Sequence, residues 1–162
     1  MIDAKYYSAS DTDKALTFDG VVNQILDFIK DLPENQYKLI IGTDSLYRAH
    51  GTVFATVIVI HRVGKGARFW WTRTKEKFEM NLYTRIMREA QDSVELMQAI
   101  YDSEIVMYVN EEDFAVHIDA GMDGDSRRVV NDCVGYVTGL GFHCEVKPDS
   151  VVAVTVADRI TK

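Results

Sequence analysis

The chain has 162 residues, 47% of them apolar and 27% charged, with only two prolines, which fits one globular domain and excludes disordered or collagen-like classes. Its formal net charge of −7 disfavours non-specific attraction to a polyanion over the whole surface. No apolar run approaches the roughly 20 residues that span a bilayer, and the opening MIDAKYYSASDTDK has neither the basic flank nor the apolar centre of a secretory signal, so a cytoplasmic location without membrane association is expected.

Residues 18–31, FDGVVNQILDFIKD, place Val21, Val22, Ile25, Leu26 and Ile29 at helical spacing, and Pro33 and Asn35 follow as breakers. An amphipathic helix therefore precedes three strand-like runs, YKLIIGTD, TVFATVIVIHRV and ARFWWTRTK. The last two are separated by GKG, a short turn that suits a hairpin, so three consecutive antiparallel strands are expected. NLYTRIMREAQDSVELMQAIYD reads as a long helix. The run EIVMYV leaves residues 105–109 undecided between states, and FAVHIDAG reads as a strand ending in Asp119.

After the polar loop MDGDS, RRVVNDCVGYVTGLG reads as a helix with Ser126 as N-cap and a glycine stop, and FHCEVK as a short strand. In KPDSVVAVTVADRITK the valines favour a strand, whereas Asp149 or Ser150 suits a helix cap. The order is an α/β arrangement with a mixed sheet covered by helices.

Two acids sit where burial would penalise a charge. Asp44 follows the branched run of LIIGTD, and Asp119 ends a second apolar strand. On the long helix, Leu82, Ile86, Ser93, Leu96, Met97 and Ile100 define an apolar arc, and Glu89 falls inside it, whereas Asp92, Glu95, Arg85 and Arg88 fall outside. Asp158 is a weaker fourth: on a helix it shares a side with Val151 and Val154.

A lone buried carboxylate costs several kcal/mol, on the order of the effective desolvation penalty, unless it is paired, hydrogen-bonded or bound to metal. Each acid alone has a structural explanation, in a turn, a cap or an arginine partner. Four together suggest a cluster. Were the first and fourth of these strands neighbours, Asp44 and Asp119 would stand about 5 Å apart, and hard oxygen donors in that number suit Mg²⁺ or Mn²⁺ better than zinc.

Charge is also segregated along the chain. Residues 61–89 carry eight Lys or Arg against three acids, a local excess of +5 that leaves −12 on the remainder. The tract ARFWWTRTKEK could follow a nucleic-acid backbone with Trp70 or Trp71 stacked on a base. Adjacent tryptophans in a strand point to opposite faces, so at least one belongs to the core. Cys133 and Cys144 are too few for a disulfide framework, and no GxSxG, Walker or HExxH motif is present. His117, two residues before Asp119, reads as structural.

The stretches IGTDS (41–45), VIVIHRVGKGARFWW (57–71), YTRIMREAQDS (83–93), HIDAG (117–121), KPDS (147–150) and VADRITK (156–162) resemble the YkuK-like bacterial proteins of the ribonuclease H-like superfamily. The chain departs from that pattern at Leu46, where glutamine is expected, and at Val151 and Val154, where smaller or polar residues are usual.

The resemblance implies a ribonuclease H-like mixed five-stranded sheet flanked by helices, one domain over 1–162 with residues 1–36 as an N-terminal helical extension. It also implies that Asp44, Glu89, Asp119 and Asp158 bind two Mg²⁺ or Mn²⁺ ions and carry catalysis. The expected activity is metal-dependent hydrolysis of nucleic-acid phosphodiesters, with Arg68, Trp70, Arg73, Lys75 and Lys147 as candidate substrate contacts. The alternative is a non-catalytic binding or scaffold domain with a protein partner or a second copy of the chain.

Overall fold

A computed structural model describes residues 1–48, 51–120, 126–147 and 152–161. In chain order the elements are strands β1 (Tyr6–Ser8) and β2 (Asp11–Leu16), helix α1 (Phe18–Asp31), strands β3 (Tyr37–Arg48), β4 (Gly51–Arg62) and β5 (Gly66–Glu76), and helix α2 (Leu82–Tyr101). Strand β6 (Phe114–Ile118), helix α3 (Ser126–Gly139), strand β7 (His143–Val146) and helix α4 (Val152–Thr161) follow.

The strands form one sheet in the order β2-β1-β5-β4-β3-β6-β7. Strands β3, β4 and β5 are antiparallel neighbours, whereas β6 and β7 join in parallel beside β3. The five expected strands are thus the contiguous block β5-β4-β3-β6-β7. The sheet is wider than expected because residues before α1 add the β1–β2 hairpin to the free edge of β5, so the N-terminal extension is not purely helical. The hairpin meets β5 at Trp70 and Trp71.

Helix α1 spans the same residues that its periodicity indicates, with Thr17 accepting a hydrogen bond from the Gly20 amide as N-cap. The undecided run after α2 forms a 3₁₀ turn at Glu104–Met107. The valine-rich C-terminal segment is helical over Val152–Thr161. Ser126 is the first helical residue of α3, so the cap position before it and the rest of the MDGDS loop lie outside the described residues. The β4–β5 turn is closed by a hydrogen bond from the Lys65 amide to the Arg62 carbonyl, with Gly64 at φ 74° and Gly66 at φ 101°. Those left-handed conformations explain the two glycines of GKG.

The two sheet faces are unequal. Leu39, Ile41, Ile58, Ile60, Trp70, Phe114, Val116 and Ile118 face the main core with α1, α2 and α3. The alternate residues Ile40, Val57, Val59 and Ala115 face a smaller core completed by Ala157 of α4, with Phe69 and Trp71 at its margin. Helix α4 packs over β3, β4 and β6, so the β5 side of this face lies beyond its main contacts.

Two buried polar seams fix the helices on the main-core side. Thr43 of β3 bonds both Thr56 of β4 (2.9 Å) and Ser93 of α2 (2.8 Å). Arg62 is buried and donates from Nε to the Tyr37 hydroxyl (2.9 Å) and from Nη2 to the Phe28 carbonyl (2.5 Å), tying α1 to the sheet. Buried polar groups satisfied in this way set helix position as well as stability.

Candidate active site

Asp44 and Asp119 stand beside each other because of strand register. β3 pairs with β6 in parallel, with Gly42 opposite His117 and Thr43 opposite Ile118. The next positions along are Asp44 and Asp119, at the point where β6 ends and β3 continues. Strand alternation puts both on the α4 face, with Ile40, Gly42, Ala115 and His117. Asp44 is half-buried, and its pKa is raised, first by burial and then by the negative charge of Asp119, with Asp158 adding to the effect.

Helix α4 brings Asp158 to the same place. Thr161, one turn on, donates its hydroxyl to Asp44 Oδ2 at 3.2 Å and to the Asp158 carbonyl at 3.0 Å, so one side chain links the helix end to the strand. Glu89 reaches the cluster from α2, on the opposite face. It is 6% exposed, and it accepts a 2.5 Å hydrogen bond from the Ser45 hydroxyl at Oε1. Burial raises its pKa to about 8, with the charge of Asp44 adding to the shift and the Ser45 bond opposing it. Among the described residues Glu89 makes no ion pair; the four acids belong to one electrostatic group.

A fifth member comes from β7. β6 pairs with β7 with His117 opposite Glu145 and Ile118 opposite Val146, so Lys147 follows in register beside Asp119. Its Nζ lies 2.5 Å from Asp119 Oδ1. The Lys147 pKa is raised, first by the hydrogen bond to Asp119, with Asp44 and Asp158 contributing. One position earlier in the same rows, buried His117 has Nε2 2.9 Å from Glu145 Oε2, and burial lowers its pKa.

Divalent-cation chemistry fits this donor set. Asp44, Glu89, Asp119 and Asp158 offer hard oxygens, Asp44 and Glu89 are raised first by burial and further by neighbouring acids, and a cation, the Lys147 ammonium, already sits on Asp119. Among the described residues no three His, Cys, Asp or Glu side chains stand close enough to hold an ion as they are.

The candidate substrate residues divide between the two faces. Arg73 pairs with Ala55, which pairs with Asp44, so Arg73 stands in the same cross-sheet row as Asp44, two interstrand spacings or about 10 Å away. Lys75 lies two residues further along that face. Arg68 alternates onto the other face, with its guanidinium 4.8 Å from the Phe28 ring. There it lines a cavity of about 400 Å³ with Ser8, Ser10, Gln24 and Trp70.

Trp70, expected as a stacking contact, is 1% exposed in the main core and donates its indole N–H to Gln24 Oε1 at 2.7 Å. Its ring has no face open to a base, and the expectation is corrected. Its neighbour Trp71 points to the other side, half-buried, stacked on Tyr7 at 4.8 Å with Arg73 5.4 Å above the ring. Trp71 is the tryptophan on the acid-bearing face.

Asp92, read as lying outside the apolar arc, is also buried at 5% exposure. Arg88, one turn earlier, compensates it at 2.7 Å and also approaches Glu76. That i,i+4 pairing makes Asp92 structural, in contrast to Glu89.

No described helix is long and apolar enough to cross a membrane. The chain is 29% identical to a protein of Bacillus subtilis (strain 168) described as uncharacterized protein YkuK, over 97% of this chain and 96% of that protein. No solved structure matches. A family model for ribonuclease H-like proteins matches residues 20–162, from within α1 to the C-terminus, and the mixed sheet agrees with it: the chain belongs to the ribonuclease H-like family.

Proposed function

We propose that the protein is a divalent-metal-dependent nuclease that hydrolyses phosphodiester bonds of a nucleic acid. The observation that carries this is the parallel β3–β6 register, which sets Asp44 beside Asp119 while Asp158 and Glu89 approach from helices on opposite faces. Membership of the ribonuclease H-like family adds support at the level of fold and general chemistry.

In this proposal Asp44 and Asp119 are the principal metal ligands, and Glu89 and Asp158 complete the set. Bound Mg²⁺ or Mn²⁺ would supply activation of a water and stabilisation of the leaving oxygen. The chain's own contribution is positional. Ser45 fixes one carboxylate oxygen of Glu89, and Thr161 fixes one of Asp44. Arg73 and Lys75 provide positive charge for the substrate backbone on the same face, and Trp71, stacked on Tyr7, holds the Arg73 guanidinium over its ring.

The test is incubation of the full chain with labelled RNA, DNA, hybrid and branched substrates in Mn²⁺. Cleavage of one class that disappears in Asp119→Asn supports the proposal. Absence of cleavage across the panel, or equal cleavage by the variant, contradicts it. The second reading, a non-catalytic binding domain, draws on one observation: Asp119 already has Lys147 as a counter-ion. It predicts nucleic-acid or protein binding that is indifferent to Mn²⁺.

A further inference from the structure

We propose that Lys147 is a built-in cation of the carboxylate cluster, standing in for one of two divalent ions, so that the site takes up a single Mg²⁺ or Mn²⁺. This rests on the metal-dependent reading above and narrows it. Its basis is the row that strand register builds across the sheet: Asp44 on β3, Asp119 at the end of β6 and Lys147 at the end of β7. Lys147 enters that row from a paired strand, as the lateral neighbour of Asp119, and not from a helix surface that happens to pass nearby.

The contact differs from an ordinary solvated ion pair. The Asp119 side chain is 16% exposed and its Oδ1 is buried, whereas the lysine stem is 55% exposed and brings its ammonium to within 2.5 Å of that oxygen. Exposed pairs contribute little because both ends stay hydrated. Here the anionic end is largely desolvated, so removing the ammonium leaves a charge uncompensated.

Two divalent ions about 4 Å apart would each need oxygen donors from this one set of acids. A divalent ion binds a carboxylate oxygen at roughly 2.1 Å for Mg²⁺. The ammonium occupies the approach to Asp119 Oδ1 that a second divalent ion would need, and leaves that carboxylate its other oxygen. Asp119 through that second oxygen, together with Asp44, Asp158 and Glu89, would hold one ion.

The experiment is a Mn²⁺ titration of the chelator-stripped full chain, read by electron paramagnetic resonance of free and bound Mn²⁺ and by calorimetry, for wild type, Lys147→Arg and Lys147→Gln. Metal-free melting curves establish that the variants fold, which the exposed position of the lysine stem favours. The expected result is one Mn²⁺ per chain for wild type and Lys147→Arg, and a second ion for Lys147→Gln. Two ions in wild type, or one ion in all three proteins, overturns the role of Lys147 and leaves the nuclease proposal standing. No uptake by any of the three overturns both.

Discussion

The Ser45 hydroxyl donates to Glu89 Oε1 across the β3–α2 interface at 2.5 Å, next to Asp44 on the same strand. Adjacent strand residues thus present one acid to each side: Asp44 itself toward α4, and through Ser45 a held carboxyl toward α2. The arrangement aims two carboxyls at one end of the sheet from opposite faces. It also leaves Glu89 nearly dry, and that has a measurable consequence.

A carboxyl that titrates near 8 in the fold, against an ordinary value of 4.5, keeps its proton through a range in which the unfolded chain has lost it. Unfolding then releases a proton, so stability of the metal-free protein falls as pH rises from about 4.5 to about 8, by up to ~1.4 kcal/mol per pH unit, and levels off above. Asp44, also raised, acts in the same direction. Glu89→Gln should flatten the greater part of that slope and be more stable than wild type at pH 8. Urea unfolding at intervals between pH 5 and 8 checks this; parallel slopes for the two proteins would show that Glu89 ionises normally.

The two tryptophans should separate stability from binding. Trp70→Ala empties a site in the main core and breaks the bond to Gln24, at a cost of about 3–5 kcal/mol. Trp71→Ala should cost less, since its ring is half-buried at the margin of the smaller core, and it should weaken binding to single-stranded nucleic acid several-fold. Combined Arg73→Ala and Lys75→Ala should lower the salt dependence of that binding, while Arg68→Ala, on the other face, should not. Denaturant melts beside fluorescence-anisotropy titrations at several salt concentrations resolve the three effects.

How much of this is legible in the sequence depends on whether a pattern is local. Helix α1 and strands β3 to β7 follow from apolar periodicity and turn glycines that each segment carries itself. Strands β1 and β2 do not, because MIDAKYYSASDTDKAL has no apolar alternation; the hairpin forms by lending its backbone to β5, a tertiary event. Glu89 shows as a charge inside an apolar arc, whereas Asp92 is equally buried but hides behind Arg88 one turn away.

Register decides the rest. That Trp70 faces the core and Trp71 the acids follows from which β5 parity α1 covers, and the strand itself is aromatic on both sides. That Lys147 belongs to Asp119 follows only once β7 is known to pair with β6 in parallel. Residues contributed by neighbouring strands can be nominated from sequence one at a time. Their grouping is a property of the sheet.

The central claim is that the acids on β3, β6, α2 and α4 form one cation-binding unit, and thermal unfolding with and without Mn²⁺ tests it most directly. A ligand that binds only the folded chain raises its melting temperature with concentration. Wild type should therefore melt several degrees higher in millimolar Mn²⁺, and Asp44→Asn should lose most of that shift while remaining folded without metal. Equal shifts in the two proteins, or none in either, would contradict the claim.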